Sequence, residues 1–189
     1  FFVSNKILRG NLRFKLIQPI LSNSRVFMSD LVEDREKLAD AIIPPPRNEK
    51  CFAFFESLGS PKYGVAPMVD GSELPFRMLC RKYGATMAWT PMLHSRLFVE
   101  QRKYRKKQLS TCPEDRPLAI QFCANDPDIL LQAALLVQDQ CDAIDINLGC
   151  PQNIAKRGNY GAFLGEQWDI VKALVEKLSQ NLSIPVFCK

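Results

Sequence analysis

The stretch Asp145-Ile146-Asn147-Leu148-Gly149-Cys150-Pro151 decides how this chain is read. It ends a strand-like apolar segment that begins at Cys141. A glycine, a cysteine and a proline follow. Gly149 can adopt backbone conformations that other residues avoid. Pro151 fixes its own φ and biases Cys150 towards an extended conformation. The thiol therefore falls at a strand end, where parallel α/β proteins collect their chemistry. Asn147 and Cys150 are accordingly read as members of an active site.

Outward from this stretch, strand and helix signals alternate. Apolar strands are expected at Tyr63–Met68, Thr86–Thr90, Leu118–Phe122, Ala143–Asn147 and Ile184–Lys189. Ser72 is the expected cap of a helix that carries Pro75 in its first turn and stops at Gly84. Asp126 should cap another, with Pro127 at its first position and Leu130, Ala133, Ala134 and Val137 on one apolar face. Trp168, Val171, Val175 and Leu178 mark a third amphipathic helix. A long basic connection is expected from Met92 to Arg116.

Continuous apolar strands alternating with helices indicate an α/β fold with a parallel sheet. Two architectures compete, an open doubly wound sheet and a (β/α)8 TIM barrel. No Gly-x-Gly-x-x-Gly follows the first strand, where Pro67-Met68 stands instead. Polar residues appear at the ends of several strands, namely Gln121, Asn147 and Lys189, as in barrels. The barrel is the expected fold. It normally needs eight strands and about 250 residues, so a barrel truncated after about five strands, the N-terminal part of a longer protein, is expected.

Residues 61–189 should form this domain and residues 1–60 a largely irregular extension. A helix near residues 30–42 would be ended by Pro44-Pro45-Pro46. The first methionine is Met28, preceded by Lys6, Arg9, Arg13, Lys15 and Arg25 without an acid. That composition is either a mitochondrial presequence or sequence ahead of a start at Met28.

The 189 residues are 47% hydrophobic, with a mean hydropathy of −0.11. No apolar run is long enough to cross a membrane, and no membrane partner is expected. A net charge of +5 and a pI near 8.9 fit a polyanionic partner without demanding one. Seven scattered cysteines without a Cys-x-x-Cys pair, and a single histidine, exclude zinc-finger patterns, so no metal is expected. Unpaired thiols suit a reducing compartment, with cytosol or nucleus the default. The mitochondrion is the alternative if the residues ahead of Met28 are a genuine presequence.

Several fragments taken in order resemble the tRNA-dihydrouridine synthase family between Tyr63 and Lys189. They are Ala66-Pro67-Met68 with Ser72, Phe76 and Arg77; Thr90-Pro91-Met92; Gln121-Phe122; Asp145 to Pro151; and Lys156-Arg157-Gly158 followed by Gly161-Ala162. Thr90 to His94 and Gln121 to Pro127 look most like the eukaryotic branch acting on uridines 16 and 17 of the tRNA D-loop. The resemblance implies an FMN-bearing barrel, NADPH or NADH as reductant and uridine in tRNA as substrate. It implies that Pro67, Met68 and Val69 line the flavin, that Gln121 and Lys189 hydrogen-bond its ring, and that Cys150 is the proton donor. It also implies a flavin-phosphate site and a helical tRNA-binding domain beyond Lys189, so residues 1–189 alone should not be an efficient enzyme.

Reduction of the uracil C5=C6 bond needs a hydride on one carbon and a proton on the other. No side chain supplies hydride, so a cofactor must. Thiols titrate near pH 8.5 and are mostly protonated at neutral pH, the state a proton donor uses. The bland reading of Cys150 is a packing cysteine. Asn147 is read as a contact to the uracil edge or the flavin, or as a strand-end turn residue. Asp145 must be paired if buried, by an ion pair or a substrate contact. Lys189 either stabilises an anionic reduced flavin or faces solvent. His94 is a substrate contact or a loop residue, and a Cys150–His94 pair would instead mean nucleophilic thiol chemistry. Lys156 and Arg157 are read as RNA contacts. The run Arg102, Lys103, Arg105, Lys106 and Lys107 either holds tRNA phosphates or is a solvated helix face. Competing functions are a flavin barrel dehydrogenase acting on a free pyrimidine and a non-catalytic tRNA-binding protein.

Overall fold

The computed structural model describes residues 49–189. The helix expected near residues 30–42 and the basic stretch before Met28 lie outside them. Six strands form one sheet: β1 (Gly64–Val65), β2 (Met87–Trp89), β3 (Leu93–His94), β4 (Leu118–Cys123), β5 (Ala143–Ile146) and β6 (Val186–Cys188). Every pairing is parallel, and the order is β1-β2-β4-β5-β6, with the two-residue β3 pairing the end of β4. Strands thus lie side by side in chain order. A doubly wound sheet reverses its order at a switch point, so the topology is that of a partial TIM barrel.

The two sheet faces differ. Val65, Ala88, Leu118, Ile120, Phe122, Ile144, Ile146 and Val186 point towards the covering helices and form the main core with Leu130, Ala133, Ala134, Leu174 and Leu178. The opposite face carries Met87, Trp89, Ala119 and Ala143 at its lower level, packed with Phe187 from the row above. Parallel register aligns Gln121, Asp145 and Phe187 in the next row. Asn147 and Lys189, two residues further on, extend it. This inner face is apolar below and polar towards the C-terminal strand ends.

The lower level is filled by a helix that the sequence reading did not identify, α1 (Glu49–Ser57). Phe54 meets Phe187 edge-on at 6.1 Å between ring centroids, and Leu58 packs in the same cluster. Phe54 and Leu58 belong to the compact unit that holds the sheet.

Helix α2 (Leu74–Lys82) ends as expected near Gly84, whose φ of +102° suits glycine. Ser72 does not cap it. Its hydroxyl accepts the Met68 N–H at 2.9 Å and lies 3.1 Å from the Met68 carbonyl, closing the β1–α2 turn on itself. Arg77, buried in α2, donates to the Ser72 carbonyl at 2.6 Å and to Asp115 at 2.6 and 3.0 Å.

The expected basic connection contains β3 and two helices, α3 (Ser95–Glu100) and α4 (Arg102–Gln108). They form because Phe98 is fully buried against Phe122, 5.3 Å between centroids, with the Arg105 guanidinium 5.8 Å above the Phe98 ring. Helix α5 (Pro127–Leu135) has the expected cap, since Asp126 Oδ1 accepts the N–H groups of Asp128 and Ile129 at 2.9 and 3.0 Å. It packs on α7 (Trp168–Asn181), to which Lys177–Asp128 adds an ion pair at 2.5 Å. The expected apolar face of α7 holds for Val171, Val175 and Leu178. Trp168 is 72% exposed as the first residue of the helix, and Leu174 is buried instead. The short α6 (Asn153–Gly158) follows β5.

Candidate active site

Cys150 leaves the sheet three residues after Asn147 and is half-buried. Its loop is shaped from two sides. Asn147 Oδ1 accepts the N–H groups of Gly149 and Cys150 at 3.1 and 3.0 Å. On the other side the Cys150 carbonyl accepts the N–H of Ala162 at 3.1 Å. Gly161 makes this approach feasible, with a φ of +66°. A Cβ there would lie 2.7 Å from the Cys150 carbonyl oxygen and 3.0 Å from its Cβ and N. The glycine that the thiol loop requires is therefore Gly161. Gly149 has no left-handed φ, and a Cβ on it would meet only the Lys189 carbonyl oxygen, at 3.9 Å. Proximity in sequence pointed to the wrong residue, because Gly161 reaches Cys150 only once α6 has turned the chain back.

Asn147 is buried, and its side chain bonds within the protein at both ends. Its Nδ2 donates to Gln121 Oε1 at 2.9 Å, and Gln121 Nε2 donates to Asp145 Oδ2 at 2.7 Å. Asp145 is 1% exposed and takes part in none of the ion pairs among the described residues. Its Oδ1 has no hydrogen-bond partner of ordinary geometry, although the Trp89 indole lies close enough to ease ionisation. Burial pushes the Asp145 carboxyl up to about 6, against the opposing pull of the Gln121 amide and the Lys189 charge.

Lys189 lines a cavity of about 340 Å³ with Ala66, Pro67, Trp89 and Tyr63, among others. Met68 is 40% exposed and lines a separate hollow between β1 and α2, while Val69 is 61% exposed and lines neither. Of the three residues expected beside a flavin, Pro67 lines the cavity with Lys189, and Met68 lines the neighbouring hollow, which shares Tyr63, Gly64 and Ala66 with it. The Pro67–Trp89–Lys189 cavity suits a flat conjugated ring with a polar edge. Its walls are mostly apolar, Lys62 and Lys189 give it positive charge, and its volume is that of small-ligand sites.

Around Cys150, Cys123, Ala155, Tyr160, Met92 and Phe163 form a small cluster. Burial pushes the Cys123 thiol up to about 12 and the Cys188 thiol to about 11, so both stay protonated at neutral pH. His94 is paired in register with Cys123 and stands edge-on to Tyr160, 5.7 Å between centroids at 84°. Its backbone N–H donates to the Tyr104 hydroxyl at 3.0 Å, and its Nδ1 is buried without a partner. Burial, then the charge of Arg96, holds the imidazole below its usual pKa. Among the described residues no hydrogen bond joins His94 to Cys150, so the geometry gives no nucleophile–base pair. His94 lines a further hollow of about 370 Å³ with Tyr160, Asn125 and Arg96.

Lys156 and Arg157 are exposed in the last turn of α6, in the segment that follows Cys150. In α4, Arg102, Lys103, Lys106 and Lys107 face solvent, but Arg105 is turned inward and donates to the Phe98 carbonyl at 2.9 Å. That cation belongs to the packing.

A parallel sheet in barrel order, with a cysteine fixed at the C-terminal tip of a middle strand, defines the class as an α/β TIM-barrel fold with a thiol site. Comparison with known proteins goes further. The chain belongs to the dihydrouridine synthase family, whose model matches residues 64–189. A Mus musculus tRNA-dihydrouridine(16/17) synthase-like protein is 58% identical over 135 residues, covering 70% of this chain and 28% of that relative. The tRNA-dihydrouridine(16/17) synthases of Saccharomyces cerevisiae and Schizosaccharomyces pombe are 56% and 54% identical over 138 residues, 71% and 72% of this chain. A mouse tRNA-dihydrouridine(20a/20b) synthase-like protein reaches 42% over 122 residues, so the likeness is greater to the 16/17 branch, as the sequence fragments implied. The names of these relatives specify NAD(P)(+). The chain spans 28 to 35% of the length of the curated 16/17 relatives.

Proposed function

We propose that the whole protein reduces uridine to 5,6-dihydrouridine at positions 16 and 17 of the tRNA D-loop, with FMN as cofactor and NADPH or NADH as reductant. The single observation that carries this reading is the Cys150 thiol, half-buried at the tip of β5 and clamped by Asn147 and by the Gly161–Ala162 turn. The reduced flavin, when bound, would supply the hydride chemistry that uracil C6 requires. Cys150 Sγ–H gives its proton to C5. Pro67 and Trp89 wall the ring, and Lys189 places positive charge at its polar edge. Gln121 is committed at both ends to Asn147 and Asp145, but its amide retains one further hydrogen and one further lone pair for a ligand. Lys156 and Arg157 hold tRNA phosphates around a uridine drawn out of its stack. Met68 and Val69 are read as the outer rim of the cofactor site. His94 and the hollow beside Tyr160 are read as a substrate contact. Six free thiols among the described residues support a reducing compartment, cytosol or nucleus.

The test is direct. Whole protein is purified, its visible spectrum recorded, and NADPH and unmodified tRNA added. A flavin spectrum and formation of dihydrouridine are expected. A colourless protein that binds no FMN would remove the reading. Turnover of free uracil but not tRNA would replace it with a free-pyrimidine dehydrogenase.

A further inference from the structure

The proposed chemistry uses Cys150 and leaves Asp145 without a task, although a buried carboxylate is costly to keep. Three side chains link the two: Asp145 Oδ2 accepts from Gln121 Nε2 at 2.7 Å, Gln121 Oε1 accepts from Asn147 Nδ2 at 2.9 Å, and Asn147 Oδ1 accepts from the Gly149 and Cys150 N–H groups at 3.1 and 3.0 Å. The direction of this chain is fixed by groups of unambiguous chemistry. Two backbone N–H groups can only donate, so Asn147 must turn its oxygen to them and its nitrogen to Gln121. Gln121 must then offer its oxygen to Asn147 and its nitrogen to position 145, where only an acceptor satisfies it. A carboxyl oxygen accepts there in either protonation state, because the proton can sit on the other oxygen.

We propose that Asp145 is a positioning residue: acting through Gln121 and Asn147, it sets the direction of a one-way hydrogen-bond relay that clamps the backbone of the Cys150 loop. All three side chains are buried, at 1%, 1% and 7% exposure for Asp145, Gln121 and Asn147, so water does not compete for these bonds. The relay begins on β4 and β5 and ends on the thiol loop, and so ties the loop to the rigid sheet. The link to turnover rests on Cys150 being the proton donor. The effect on loop geometry does not.

A reversal experiment in the whole protein tests this. Asn147→Asp places an acceptor on each side of Gln121, whose amide nitrogen can point only one way. Adding Asp145→Asn supplies a donor at the far end and lets the entire relay run backwards, with the new carboxylate still accepting from Gly149 and Cys150. Two rates are read: alkylation of Cys150 by iodoacetamide, followed on the Cys150 peptide by mass spectrometry, and dihydrouridine formation. Asn147→Asp alone should raise alkylation and lower dihydrouridine formation, each by about tenfold, the scale of coupling between contacting residues. The double variant should bring both back to within about threefold of the parent. Asp145→Asn alone should do less harm than Asn147→Asp, because an amide oxygen can still accept from Gln121.

A double variant at least as impaired as Asn147→Asp would overturn the assignment. Should Asn147→Asp fail to fold, recovery of folded protein on adding Asp145→Asn supports the relay, and failure to recover counts against it. A parent protein that forms no dihydrouridine would remove the proposed reaction and leave the alkylation series to decide the relay.

Discussion

Asp115 and Asp145 are equally hidden, at 0% and 1% exposure, yet their surroundings treat them in opposite ways. Asp115 meets Arg77 through two bonds, Arg81 at 3.2 Å and the Thr111 hydroxyl at 3.3 Å. Two cations answer one anion, and the cluster ties α2 to the loop that feeds β4. Asp145 has one amide donor, the Trp89 indole close by, and a lysine charge that is felt but not bonded. Burial alone therefore does not mark a functional carboxylate. What separates the two is that cations bond Asp115 directly, whereas none bonds Asp145 at its strand tip.

The largest effect is expected in the frame. Arg77→Leu leaves Asp115 buried with Arg81 as its one bonded cation and should cost about 3–5 kcal/mol in urea unfolding of the whole protein. A loss below about 1 kcal/mol would mean that Asp115 does not depend on Arg77. Asp145→Asn should go the other way. The folded pKa, about 6, lies above the ordinary carboxylate value of 3.8. The stabilisation linked to this group is therefore full below about pH 4 and is lost as pH rises through about 6. The parent should gain up to about 3 kcal/mol from this group between pH 7 and pH 4, and the variant should lack that segment of its pH profile in thermal melts. Identical profiles would show that Asp145 is not strained by burial.

Smaller effects sharpen the contrast at the thiol loop. Gly161→Ala forces a side chain into a left-handed backbone against the Cys150 carbonyl. It should cost about 1–3 kcal/mol and slow tRNA reduction together with it. Retained stability with full activity would show that the loop does not need the glycine. The smallest change is expected from Lys156→Ala, which should leave folding intact and reduce the dependence of log KM for tRNA on log salt by about one phosphate contact. An unchanged salt slope would place Lys156 outside the RNA path.

Much of the sheet was legible in the sequence, because strands covered on one face by helices and packed on the other read as apolar runs, as in Leu118 to Ile120. The Asp126 cap was legible because its geometry is local. Three kinds of feature were not. The role of helix α1 appears only when Phe54 fills the base beneath Phe187. The Arg77–Asp115 pair joins residues 38 positions apart, so neither signals the other. The run from Arg102 to Lys107 reads as uniform charge, yet Arg105 turns inward to cover Phe98. At the site, the strand tip and its thiol could be found from residues alone. The assignment of Asn147, Gln121 and Asp145 to one connected chain needed the register of β4 against β5.

The most direct test of the central claim separates the two half-reactions in whole protein carrying Cys150→Ala. Flavin reduction by NADPH should match the parent, while single-turnover dihydrouridine formation in tRNA should slow by about a hundredfold or more, the scale of a lost general acid. Equal losses in both half-reactions would contradict the assignment of Cys150 as the proton donor.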